Sequence, residues 1–219
     1  MGEAMEKARQ KAMILEAGVI AIIRAKTSGD LIEAAEAIKA GGLNVIEVTM
    51  TTPDALNVIA RASEHFGDEV LIGAGTVLDT ETARAVILAG AQFIVSPTLN
   101  LKTIKLCRRY SRTVVPGCFT PTEILTAWEV GADFVKVFPA DVGGPAYIKA
   151  VLAPLPQVAV IPTGGVTVET TGPFLKAGAA AVAAGSSLVS QKILDEKNFS
   201  LLTERARSMR DEVLKVRQG

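Results

Sequence analysis

Hydrophobic and polar positions along the chain form a phrase that returns four times: a helix-patterned stretch, a small–Gly–small step, then a short apolar run. Ala40-Gly41-Gly42 precedes Val45-Ile46-Glu47-Val48-Thr49, and Ala89-Gly90-Ala91 precedes Phe93-Ile94-Val95-Ser96. Val130-Gly131-Ala132 leads into Phe134-Val135-Lys136-Val137-Phe138, and Ala177-Gly178-Ala179 into Ala181-Val182-Ala183-Ala184. A glycine just past a helix supplies the left-handed turn that ends it, and the unbroken apolar run suits a parallel strand buried on both faces. Gly41, Gly90, Gly131 and Gly178 lie 49, 41 and 47 residues apart. One helix–strand unit needs roughly 20 to 30 residues, so each interval should hold a second strand. The runs 70–75, 113–117 and 158–162 supply those strands, and 19–24 adds one at the start.

The pattern therefore predicts eight strands with seven intervening helices and helical segments at both ends. Pro53-Asp54, Asp79-Thr80, Thr120-Pro121-Thr122-Glu123 and Thr167 mark helix starts. Strict alternation fits either a closed (β/α)8 barrel or an open doubly wound sheet. Eight strands in 219 residues favour a single α/β domain over 1–219, a (β/α)8 TIM barrel with an extra N-terminal helix. No GxGxxG follows the first strand, which weakens the open dinucleotide-binding alternative. In a barrel, chemistry gathers at the C-terminal ends of the strands.

Those ends carry unusual side chains. Strand residues alternate faces, so Phe134, Lys136 and Phe138 share one face, and Val135 and Val137 turn to the covering helices. Lys136 then points inward among apolar neighbours, where a charged ammonium is expensive and a neutral amine can attack a carbonyl. A lysine that reaches solvent or pairs with an acid is the plainer reading. By the same parity Glu47 points inward beside it, as a proton shuttle or as half of a structural ion pair. Pro162-Thr163-Gly164-Gly165-Val166 and Gly185-Ser186-Ser187 follow the last two strands, the usual phosphate position in such barrels, where glycine backbone N–H groups can approach an oxyanion. Thr76 and Pro97 end the third and fourth strands as a candidate carboxylate donor and a pocket wall, or as plain turn residues. Arg24 closes the first strand, as a bidentate carboxylate grip or as an ordinary surface arginine.

Composition sharpens this picture mainly by exclusion. Hydrophobic residues make up 49% and aromatics 5%, so the core is built from Val, Ile, Leu and Ala. Lys plus Arg equals Asp plus Glu at 23 each, which argues against a nucleic-acid or anionic-membrane partner. No run approaches the roughly 18 to 20 apolar residues of a membrane span, and no cleavable signal precedes the fold, so a cytoplasmic protein is expected. Cys107 and Cys118 match no metal or redox spacing and are expected to be reduced thiols. His65 is the single histidine and reads as a surface residue, so no transition-metal site is expected. Trp128 reads as helix packing, and the mixed charges of 196–217 as the solvated face of a terminal helix.

Taken together, Glu47-Val48-Thr49, Gly73-Ala74-Gly75-Thr76-Val77, Phe93-Ile94-Val95-Ser96-Pro97, Val115-Pro116-Gly117, Lys136-Val137-Phe138-Pro139-Ala140 and Pro162-Thr163-Gly164-Gly165 resemble the 2-keto-3-deoxy-6-phosphogluconate (KDPG) and 4-hydroxy-2-oxoglutarate (KHG) aldolases. The resemblance runs over about residues 18–188. It implies a metal-free class I aldolase with no cofactor, acting on a small 2-keto acid and releasing an aldehyde. Lys136 would be the Schiff-base lysine and Glu47 the general acid/base. Thr76, Pro97 and Thr163 would surround the pyruvate half, with Phe138 near the lysine, and Gly164, Gly165, Gly185 and Ser186 would hold the phosphate. It also implies a homotrimer. One departure is Thr51, where many relatives carry an arginine that helps bind the substrate carboxylate; Arg24 is expected to take over that charge. The rivals are a phosphate-binding transferase resembling thiamine-phosphate synthase, which would need Mg²⁺ and acidic ligands, and a catalytically silent binding barrel.

Overall fold

The computed structural model describes residues 6–25 and 31–218. Its strands are β1 (Val19–Ile23), β2 (Val45–Thr49), β3 (Leu71–Gly75), β4 (Phe93–Val95), β5 (Thr113–Val115), β6 (Gly117–Cys118), β7 (Val135–Val137), β8 (Val160–Pro162) and β9 (Val182–Ala184). Between and around them run α1 (Lys7–Ala17), α2 (Leu31–Ala40), α3 (Ala55–Phe66), α4 (Thr80–Leu88), α5 (Leu101–Arg109), α6 (Pro121–Val130), α7 (Gly144–Leu152), α8 (Val168–Lys176), α9 (Gln191–Asp195) and α10 (Phe199–Gln218).

Among the described residues every strand pairing is parallel, and the sheet comes in two hydrogen-bonded pieces, β5-β4-β3-β2-β1-β9 and β6-β7-β8. A parallel bridge between Thr163 and Ala183 links the end of β8 to β9. The expected strand at 113–117 is split at Pro116. Proline has no N–H for the ladder, so β5 pairs with β4 while β6 pairs with β7, and the Pro116 carbonyl still accepts from Lys136 N at 2.9 Å.

Parity separates two apolar clusters. Ile20, Ile22, Val45, Leu71, Phe93 and Phe134 belong to an inner one, and Val19, Ala21, Ile46, Ile72, Val135 and Val137 pack outward against the helices. Helix α1 joins the inner cluster through Met13, Ile14 and Ala17. Its fully buried Gln10 accepts from Thr113 N at 2.9 Å and from Thr113 Oγ1 at 3.1 Å, which fixes α1 across the starts of the strands. Helix α10 buries Leu202, Ala206, Met209 and Val213, a helical stripe, and holds α2 through Thr203 Oγ1 donating to Ala37 O at 2.9 Å.

The helix starts follow the expected chemistry with one exception. Asp79 accepts from Thr82 N, Thr120 and Glu123 form a capping box, and Thr167 caps α8. Asp54 sits at φ 55° and makes no side-chain cap; its carboxylate instead takes Asn57 Nδ2 at 2.9 Å. Trp128 corrects another expectation, because it is 41% exposed rather than packed in the core. His65 is on the surface, 2.7 Å from Glu36 and edge-on to Phe66. Both cysteines are free and buried, and burial pushes each thiol up to about 12. No helix among the described residues is long and apolar enough to cross a membrane.

Candidate active site

Glu47 stands in the middle of β2, 1% exposed, on the face that also carries Val45 and Thr49. Room for it comes from β3. In register, Glu47 faces Gly73 and Thr49 faces Gly75. A Cβ on Gly75 would lie 1.7 Å from Glu47 Oε1, and one on Gly73 would lie 2.3 Å from the Phe93 ring. Beyond Leu71, the inward positions of β3 are glycines because a carboxylate and a phenyl ring already fill that space.

Burial raises the Glu47 carboxyl above its ordinary range, while Lys136 and Arg24 draw it back down through space. Its Oε2 has no hydrogen-bond partner among the described residues. A buried carboxyl with a free oxygen and two nearby cations is chemically able to take up and return a proton.

Lys136, 7% exposed, lies at the centre of β7 on the inward face. Its Nζ is 4.9 Å from the centroid of Phe138, which is itself 39% exposed just beyond the strand. Arg24 follows Ile20 and Ile22 in the same parity and is exposed past the end of β1. The next residue is tied to β2: Ala25 N donates to Thr52 Oγ1 at 3.3 Å, within a hydroxyl chain that joins Thr49 to Thr51 at 2.9 Å.

The two glycine turns bring backbone without side chains to the ends of β8 and β9. Gly164 and Gly165 sit at φ 97° and 66°, and a Cβ on Gly165 would lie 2.5 Å from Asp141 Cβ, so only glycine suits both backbone and space. The turn runs into α8 behind the Thr167 cap. Gly185 faces open space, since a Cβ there would meet nothing within 4 Å. Among the described residues the N–H groups of Gly165, Gly185 and Ser186 have no protein acceptor. Thr76 adopts φ 58°, a left-handed conformation unfavourable for a β-branched residue, directly after β3. Pro97 lies beneath Gly117, whose absent side chain lets the two backbones meet.

The candidate site residues open onto one cavity of about 940 Å³. Lys136, Glu47, Arg24, Thr76, Pro97, Phe138, Thr163, Gly164, Gly165, Gly185 and Ser186 all line it. So do Thr51, the departure noted in the sequence, Ser187 of the Gly185-Ser186-Ser187 turn, Pro53 and Thr167, which the sequence marked only as helix starts, and Gln191, which sequence reasoning passed over. Gln191 carried a usable signal, because it continues the segment after the last strand. The space-making role of Gly75 carried none, since it depends on the register of β3 against β2.

Residues 11–204 match the KDPG and KHG aldolase family. The chain is 39% identical over 171 residues to a 2-dehydro-3-deoxy-6-phosphogalactonate aldolase of Escherichia coli, covering 78% of this chain and 83% of that protein. It is 32% identical to a 2-dehydro-3-deoxy-phosphogluconate aldolase of Pseudomonas aeruginosa, covering 88% of each. A KDPG aldolase from Legionella pneumophila, solved with pyruvate captured as a covalent carbinolamine intermediate, superposes with a TM-score of 0.85 at 33% identity, covering 91% of this chain and 97% of that one. Sequence match, shared architecture and a single strand-end cavity agree: the chain belongs to the KDPG and KHG aldolase family.

Proposed function

We propose that this chain is a class I aldolase that reversibly cleaves 2-dehydro-3-deoxy-6-phosphogluconate to pyruvate and glyceraldehyde 3-phosphate, without metal or cofactor. One observation carries the reading: Lys136 and Glu47, both buried on inward faces of parallel strands, open into the same cavity. A silent binding barrel would have little use for two ionisable groups there, because each costs desolvation energy that an apolar residue avoids. The finer architecture belongs to the same reading. With β5 and β6 taken as one strand interrupted by Pro116, and with the Thr163–Ala183 bridge, the two sheet pieces form a ring of eight strands in one domain over 1–219, capped by α1.

In the cleavage direction, the Lys136 amine adds to the C2 carbonyl, and loss of water gives an iminium. Glu47 removes the C4 hydroxyl proton, the C3–C4 bond breaks, and its electron pair moves into the iminium to form an enamine while the aldehyde departs. The proton held by Glu47 returns to C3, and water then hydrolyses the pyruvyl iminium to release pyruvate and free Lys136. In this reading Arg24 and Thr76 hold the keto-acid carboxylate, Pro97, Phe138 and Thr163 wall the pyruvate half, and Gly164, Gly165, Gly185 and Ser186 bind the phosphate. The unpaired backbone N–H groups at the glycine turns support that last assignment. The shorter 4-hydroxy-2-oxoglutarate, giving pyruvate and glyoxylate, is a second substrate.

The galactonate epimer is the competing substrate, favoured by the 39% identity to a phosphogalactonate aldolase, and parallel kcat/KM measurements on both epimers decide between them. A cytoplasmic homotrimer is part of the proposal on family resemblance, to be checked by sedimentation. The chemistry is tested by borohydride reduction in the presence of pyruvate followed by peptide mass mapping. A reduced pyruvyl adduct on Lys136 is expected; no adduct, or one on the exposed Lys149, would overturn the assignment.

A further inference from the structure

The loops after β8 and β9 contain no lysine or arginine, and the two cations lining the cavity, Arg24 and Lys136, stand on other strands. The loops are nevertheless bound to each other and to a cation behind them. Ser187 Oγ donates to Val166 O at 2.5 Å, joining the Gly185–Ser187 turn to the Gly164–Val166 turn. Arg205 of α10, partly buried, donates from Nη1 to Ser187 O at 3.0 Å. With its single hydroxyl proton committed to Val166, Ser187 is a strut, while Ser186 beside it remains exposed towards the cavity.

Resting on the phosphate role given to these turns above, we infer that Arg205 and Ser187 are positioning residues that brace the two turns into one dianion site. Selectivity for phosphorylated over unphosphorylated keto acids is thereby set from the terminal helix. The brace holds donors from two separate loops at one spacing, and the guanidinium places positive charge behind them without touching the ligand. A short acid lacking phosphate has no group that reaches this brace.

The experiment compares wild type with Arg205→Ala, Arg205→Lys and Ser187→Ala, each first checked for an unchanged thermal melt and pyruvate adduct. Arg205→Ala is expected to raise KM for the phosphorylated keto acid about tenfold and to weaken competitive inhibition by inorganic phosphate by a similar factor. Its kcat/KM for 4-hydroxy-2-oxoglutarate should stay within about twofold of wild type, and Arg205→Lys should recover part of the loss. Ser187→Ala should reproduce the weakened phosphate inhibition with the charge intact. Equal losses on both substrates, or no loss in either Arg205→Ala or Ser187→Ala, overturn the inference. Should wild type itself show no inhibition by inorganic phosphate, the phosphate-site reading fails first and takes this one with it.

Discussion

Glu47 owes its place to a residue with no side chain. Gly75→Ala would set a methyl group 1.7 Å from Oε1, so the carboxylate or β3 must move. The expected result is a stability loss of about 1–3 kcal/mol in denaturant melts, with kcat falling towards that of Glu47→Gln. Glu47→Gln is expected to lower kcat by about 10²- to 10⁴-fold while the Lys136–pyruvate adduct still forms, which separates proton transfer from nucleophilic attack. The same substitution reads out the raised carboxyl. Because the folded state holds this proton above the ordinary carboxylate range, the stability tied to it is present at low pH and lost as pH rises through the folded value. Thermal melts from about pH 5 to 8 should therefore show Glu47→Gln gaining on wild type as pH increases. Alternation of side chains was enough to foresee both Glu47 and Lys136 in the cavity. It was silent on Gly75, whose function lies in a neighbour two strand positions and one register choice away.

At the level of elements, the repeated small–Gly–small step was legible because a helix end and a buried strand each leave a local mark. What was not legible came from contacts made at a distance. Pro116 divides a strand whose composition reads as continuous, because the flanking halves ladder to different neighbours. Helix α1 has weak amphipathic patterning, and besides Met13, Ile14 and Ala17 it seats one buried polar residue, Gln10, that caps the start of β5. Gln10→Ala would strand the Thr113 N–H and hydroxyl at a buried site, an expected loss of about 1–3 kcal/mol in chemical denaturation. Since α1 crosses the starts of the strands and the cavity lies at their ends, kcat and KM below the melting transition should be unchanged. Trp128 shows the opposite failure. A large aromatic within a helix was read as packing, yet the residue is 41% exposed on the outside of α6.

Across the whole molecule, apolar packing and chemistry occupy opposite ends of the same strands. Met13, Ile14 and Ala17 close one end, while the glycine turns stand at the other and Lys136 and Glu47, at mid-strand, open into the same cavity. The proposed mechanism needs no metal, so saturating EDTA should leave the initial rate unchanged; a loss restored by Mg²⁺ would revive the transferase alternative. The sheet order also has a consequence in time. β1 at the beginning of the chain pairs with β9 near its end, Val19 beside Val182. Synthesis at roughly 5–20 residues per second makes the first strand wait about 8 to 30 seconds for that neighbour to leave the ribosome. Throughout that interval one edge of β1, with Ile20 and Ile22 on its inner side, has no permanent partner, and nascent chains are open to pairing with one another or with a chaperone. The last strand to be made is thus the one that ends the protein's exposure to its own copies.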